Sequence, residues 1–104
     1  MEVSPMSNQC MLSIYINIIP KRWRITNSYR ALCALERLSK FRKLGYVPDG
    51  IHDGIGTRTN FVLHVIFASL EDKQAYEQDR MYEYSTHKLK RYSKKGGLKL
   101  TTQS

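Results

Sequence analysis

Between positions 11 and 18 the chain alternates. Leu12, Ile14, Ile16 and Ile18 interleave with Met11, Ser13, Tyr15 and Asn17, a period-two pattern that predicts a half-buried β-strand. Pro20 and the basic run Lys21, Arg22, Trp23, Arg24 end it. The period then lengthens to that of a helix, capped by Asn27 or Ser28, running to about Leu44 and stopped by Gly45. At 100° per residue, Ala31, Ala34, Leu35, Leu38 and Phe41 fall on one face and Arg30, Arg37 and Lys40 on the opposite one. Arg42, near the apolar edge, is expected to snorkel. Tyr46-Val47-Pro48 and the echo Asp49-Gly50-Ile51, Asp53-Gly54-Ile55 predict an edge strand or a long hairpin arm. Thr57 to Asn60 reads as a turn. Phe61 to Phe67 is a second strong strand, apolar on both faces as central strands are. Ser69 followed by Asp72 starts a second helix that reaches about Tyr92. Lys94 to Gly97 forms a turn before a short last strand, Leu98 to Thr101.

This order, strand-helix-strand-strand-helix-strand, predicts a ferredoxin-like α+β fold: βαββαβ, a four-stranded antiparallel sheet with two helices on one face. The first and third strands are central in that topology, and here they are the two most apolar. The second and fourth are edges and carry the Pro, Gly and Lys that suit edges. Residues 1–10, polar and holding Pro5, are expected to be a disordered leader to a single domain over 11–104.

Two helices cover only one sheet face. Placing Leu12, Ile14, Ile16 and Ile18 inward, with Phe61, Leu63, Val65 and Phe67, leaves Met11, Tyr15, Ile19, Val62, His64 and Ile66 on the other face. A face so apolar marks an interaction site, filled by a second copy of the chain or by stacked single-stranded nucleic acid. Ile14-Tyr15-Ile16-Asn17 resembles the first-strand motif of RNA-recognition domains, whose aromatic stacks a base; His64 lies on the adjacent strand. The alternative role for Tyr15 is a dimer-interface aromatic. Phe67-Ala68-Ser69-Leu70-Glu71-Asp72-Lys73-Gln74-Ala75-Tyr76 resembles the strand-to-helix junction of dimeric α/β-barrel proteins, a family of stress-responsive proteins, cyclases and antibiotic-biosynthesis monooxygenases. That resemblance implies dimerisation through the open face, with His64 and Tyr76 lining a pocket. The family's histidine-rich continuation is replaced here by Asp79-Arg80-Met81-Tyr82.

Charge sharpens the picture. The 104 residues carry 17 Lys and Arg, 9 Asp and Glu and a net charge of +8. Residues 21–43 are strongly basic and residues 84–104 hold no acid at all, whereas 44–83 is net acidic. Lys21, Arg22, Trp23 and Arg24 set an indole among cations. Arg30, Arg37 and Lys40 extend the charge along the first helix, and Lys88, Lys90, Arg91, Lys94 and Lys95 form a second cluster. Such a layout solvates a helix face or binds phosphates with an aromatic stacking beside them. No apolar run approaches the roughly 20 residues that span a bilayer, so no membrane partner is expected. Two cysteines without CxxC or zinc spacing argue against a disulfide framework and a structural zinc site, and a cytoplasmic, reducing location is expected.

No catalytic motif is assembled. The glycines fit neither a Walker loop nor G-x-G-x-x-G, and no nucleophile elbow is present. His52 between Asp49 and Asp53 reads as a solvated hairpin rather than a metal site, and His87 as an exposed helix residue paired with Glu83. His64 is the best-placed acid/base if the open face forms a pocket, with sheet packing as its alternative. The sequence therefore reads as a non-enzymatic binding protein without cofactor or metal, contacting nucleic acid or a nucleoprotein through Lys/Arg clusters. The alternatives are a dimeric α/β-barrel enzyme or small-ligand binder, and an adaptor or inhibitor docking on an acidic or nucleic-acid-binding protein surface.

Overall fold

The computed structural model describes residues 9–54 and 59–104. Positions 1–8 of the expected leader and 57–58 of the expected turn lie outside the described residues. The elements are β1 (Cys10–Ile18), α1 (Arg22–Arg42), β2 (Gly45–Tyr46), β3 (Ile51–Asp53), β4 (Asn60–Phe67), α2 (Leu70–Glu77), α3 (Arg80–Tyr92) and β5 (Ser93–Gln103). The fold is ferredoxin-like. β1 pairs antiparallel with β4 and with β5, and β2 and β3 both pair with β4. The predicted second strand is thus two short pieces interrupted around Pro48, and the predicted second helix is split in two.

The core lies between the sheet and the helices. Leu12, Ile14, Ile16 and Ile18 of β1 and Leu63, Val65 and Phe67 of β4 meet Leu32 and Leu35 of α1, Tyr76 of α2 and Leu89 of α3. Tyr76 is fully buried, packs against Phe67 and Tyr82, and donates its hydroxyl to the Leu35 carbonyl at 2.8 Å. Burial pushes the Tyr76 hydroxyl pKa far above its ordinary value and lifts that of Tyr82 to about 12.

Several boundaries differ from the sequence expectation. The strand begins at Cys10, which is buried, rather than at Met11. The first helix starts at Arg22, ahead of the expected caps Asn27 and Ser28; Lys21 is its N-cap, without a side-chain cap bond, and Ser28 is buried within the helix. At the other end Lys43, not Gly45, takes the left-handed conformation (φ 57°), and the Leu44 N–H closes onto the Ser39 carbonyl at 3.1 Å. Gly45 answers a different need: a Cβ there would lie 2.7 Å from the Ile66 carbonyl oxygen across the strand pair. Ser69 does cap α2, accepting from the Asp72 N–H at 3.1 Å. The break after α2 has its own cap, Asp79, which accepts from the Met81 N–H at 2.8 Å and pairs with Arg42 at 3.0 Å. Arg42 is therefore ion-paired rather than merely snorkelling. Phe41, expected in the core, is 82% exposed, because a groove between α1 and the start of α3 leaves it uncovered.

The expected turn at Lys94 to Gly97 is a bulge inside β5, between the Ser93–Ile18 and Leu98–Ile16 pairings. Gly96 has φ 71° there, and a Cβ on Gly97 would come within 2.6 Å of the Asn17 carbonyl oxygen. Among the described residues no helix is long and apolar enough to cross a membrane.

The two ends of the α1–β2 connection make opposite predictions. Lys43→Gly relieves a left-handed lysine and should raise unfolding free energy by about 1 kcal/mol. Gly45→Ala should lower it by about 1–3 kcal/mol through the clash with the Ile66 carbonyl. Urea unfolding of both variants checks the pair.

Candidate functional site

In an antiparallel sheet, directly paired residues share a face. The register therefore assembles the uncovered face residue by residue. Tyr15 lies between Val62 and Lys99, Ser13 between His64 and Thr101, and Met11 between Ile66 and Gln103. At the far edge Tyr46 is paired with Ile66 and His52 with Val62. The predicted interface set Tyr15, Val62, His64 and Ile66 is thus brought together, with Val62 already only 8% exposed. Ile19 is not part of it, since it follows the end of β1. Ser13, Tyr46 and Lys99 join the face, although the sequence reading did not single them out. Ser13 was recoverable from the same alternation that placed Tyr15 outward.

The centre of this face is polar. Ser13 Oγ and His64 Nδ1 share a hydrogen bond of 2.7 Å, and Ser13 is only 2% exposed. The Tyr15 ring meets the imidazole edge-on with centroids 6.1 Å apart. When the serine hydroxyl donates, His64 Nε2 carries the ring proton; when Nδ1–H donates, Nε2 is a free base. Either way Ser13 and Tyr15 hold the ring, and Nε2 is the atom left for a ligand.

Next to this group, Tyr15, Asn17, Asn60, Phe61 and Lys99 line a cleft of about 310 Å³ together with Gly54, Gly96 and Gly97. Its size is at the lower end for a small-molecule site. The Asn17 Oδ1 atom is buried with no hydrogen-bond partner among the described residues, an acceptor that a ligand donor would satisfy.

Tyr76 does not line a pocket. It is a core residue, fully buried, with its hydroxyl committed to the Leu35 carbonyl, and is out of reach of a ligand on the open face. His52 and His87 are exposed. Among the described residues no group of three His, Cys, Asp or Glu side chains is placed to hold a metal ion.

The basic residues divide. The two basic segments meet at one end of the molecule, where Arg24 Nη1 donates to the Arg91 carbonyl at 3.4 Å and the Ile19 N–H to that of Tyr92 at 3.2 Å. Trp23 contacts Tyr92 edge-on at 5.7 Å, and the Arg24 guanidinium lies 4.8 Å from the indole centroid. Trp23, Arg24 and Arg91 thus meet in one patch, with Lys21 and Arg22 beside them at the start of α1, Lys90 next to Arg91 in the last turn of α3, and Lys94 and Lys95 following at the start of β5. Lys88 folds over Tyr84 at 4.4 Å. Arg30, Arg37 and Lys40 are exposed as expected, but Arg37 and Lys40 lie roughly 20 Å or more along α1 from Arg24 at 1.5 Å per residue and do not join the patch. Lys21, Arg22 and Arg24 start a 21-residue helix with no acid in its first turn, where cations oppose the helix dipole.

No protein-family model matches the sequence, and no curated protein matches it. Solved structures do match. A conserved protein of unknown function and candidate oxidoreductase from Bacteroides thetaiotaomicron superposes with a TM-score of 0.77 at 11% identity, over 92% of this chain and 96% of that one. A candidate antibiotic biosynthesis monooxygenase from Nitrosomonas europaea gives 0.72 at 16% identity, over 91% and 96%. A dimeric protein of unknown function with a ferredoxin-like fold from Bacteroides fragilis gives 0.71 at 13%, over 92% and 95%. At these identities the likeness is one of fold.

The Ser13–His64 bond has a direct readout. Ser13→Ala should cost about 1 kcal/mol of stability and move the nitrogen-15 shifts of the His64 ring, because its tautomer loses the serine partner. Unchanged shifts would show that the bond does not set the tautomer.

Proposed function

We propose that this chain works as a homodimer closed on its open sheet face, enclosing a small, largely apolar ligand in the cleft beside Tyr15, with His64 as the acid/base group. The observation that carries this reading is the Ser13–His64–Tyr15 group, a held imidazole set among Met11, Val62 and Ile66 on a face that no helix covers. A second copy would remove Met11 and Ile66 from water and exclude solvent around the ring, which strengthens proton transfer and hydrogen bonding there. The dimeric state of one structural neighbour and the candidate monooxygenase identity of another support the reading. Asn17 and Lys99 at the cleft suit a ligand bearing an oxygen function on an aromatic or aliphatic body.

Sedimentation velocity tests the dimer: wild type should sediment as a dimer at micromolar concentration, and Tyr15→Glu or Ile66→Glu as a monomer. A monomeric wild type overturns the reading. Thermal-shift screening with small aromatic alcohols and ketones should give stabilising compounds whose effect is lost in His64→Ala, while the dimer persists.

A second function is favoured by one specific observation, the convergence of the two basic segments around exposed Trp23. We infer that this end contacts nucleic acid, its cations pairing with phosphates and Trp23 stacking on a base. The Arg91 carbonyl and the Trp23 ring hold the Arg24 guanidinium at this end, which supports a fixed cation beside the exposed indole. Binding of single-stranded RNA should weaken with salt, and the log–log slope should shrink by about 0.7 for each phosphate-contacting cation removed, as in Arg22→Ala and Arg24→Ala. Binding that is absent, or indifferent to salt, overturns this second reading.

A further inference from the structure

Away from both surfaces, the helical layer carries an open groove of about 490 Å³ between the second half of α1 and the start of α3. Its floor is apolar. Ala34, Leu38 and Phe41 of α1 face Met81 of α3, and Phe41 and Met81 are 82% and 45% exposed. Its rim is cationic: Arg37 and Arg80 flank it, with no ion pair to either among the described residues, while Arg42 is neutralised by Asp79.

We propose that this groove docks an acidic amphipathic helix of a partner protein. Ala34, Leu38 and Phe41 follow the i, i+4, i+7 spacing of one helix face, and Arg37, expected on the opposite face, instead lies at the margin of this one, three residues after Ala34. Their stripe is about two turns, roughly 10 Å, long. A helix laid along it would set its own apolar anchors on Phe41, Leu38 and Met81 and its flanking carboxylates on Arg37 and Arg80, the helix-in-groove mode of recognition. Charge complementarity selects the occupant, since two unpaired guanidinium groups beside an apolar floor ask for carboxylates on an apolar body. A second copy suits the groove less well. Among the described residues α2 is the one net acidic helix; it has eight residues, and its Glu77 is already tied to Lys73 at 2.9 Å. A small molecule would leave Phe41 largely in water, because the groove is open rather than enclosing.

The test uses a fluorescein-labelled helical peptide of about three turns, with Leu at i, i+3, i+4 and i+7 and Glu on both flanks. Anisotropy is followed against the full chain at moderate salt, with a scrambled peptide of equal charge as control. The patterned peptide should bind and the scrambled one should bind at least about tenfold more weakly. Phe41→Ala should weaken binding by a similar factor. The double variant Arg37→Glu, Arg80→Glu should lose the Glu-flanked peptide and gain a Lys-flanked one. All three side chains are exposed, and circular dichroism confirms that each variant is folded. Equal binding of patterned and scrambled peptides, indifference to Phe41→Ala, or no change of preference on charge reversal each overturns the proposal. So does a change in sedimentation of Phe41→Ala alone, which would assign the groove to a second copy.

Discussion

Leu12, Ile14, Ile16 and Ile18 on β1 are no more than 2% exposed, and the other layers are arranged around them. Each such burial contributes about 1.5–3 kcal/mol. β1 also pairs with β4 on one side and β5 on the other, so its pleat sets the facing of both neighbours. A slip of one residue would drive Ser13, Tyr15 and Asn17 into the core and turn the four aliphatic residues outward. The same alternation that builds the core therefore delivers Ser13, Tyr15 and His64 to the opposite face. Core and candidate site are two consequences of one strand's register.

Electrostatics is organised on a different logic. Lys90 and Arg91 close α3 at the negative end of its dipole, where cations are favoured. Lys21, Arg22 and Arg24 open α1 at the positive end, with neither an acid nor a capping side chain to offset them. Local rules broken within an element tend to mark functional surfaces, and here the broken rule coincides with an exposed indole, against which Arg24 is held while it donates to the Arg91 carbonyl. The groove at the other end of α1 repeats the theme in milder form, with an exposed phenylalanine between two arginines that have no ion pair among the described residues. One helix thus links two distinct surfaces, while the sheet face presents a third.

Strand alternation, the capping serine at position 69 and the order of elements were legible because each depends on neighbours within a few residues. Helix ends were less legible. Gly45 looked like a helix stop because glycine commonly is one, but its missing side chain makes room for the Ile66 carbonyl, a residue more than twenty positions away. Tyr76 looked like a pocket residue from its place in a family-like junction. Its hydroxyl is instead satisfied by the Leu35 carbonyl across the helix–helix contact, where burial holds it neutral. Phe41 sat on the apolar face by angle, yet it is 82% exposed at the open groove it shares with Met81 of α3.

By itself the sequence determined the ferredoxin-like fold, the inward and outward sets of the two central strands, and the division of charge into two basic segments around an acidic middle. Periodicity and composition are local, and they suffice for that. Only the tertiary structure decided that the two basic segments meet, that Ser13 holds His64, and that an arginine-rimmed groove opens beside Phe41. Each of these depends on the register and packing of residues distant in the chain, which backbone periodicity alone does not encode.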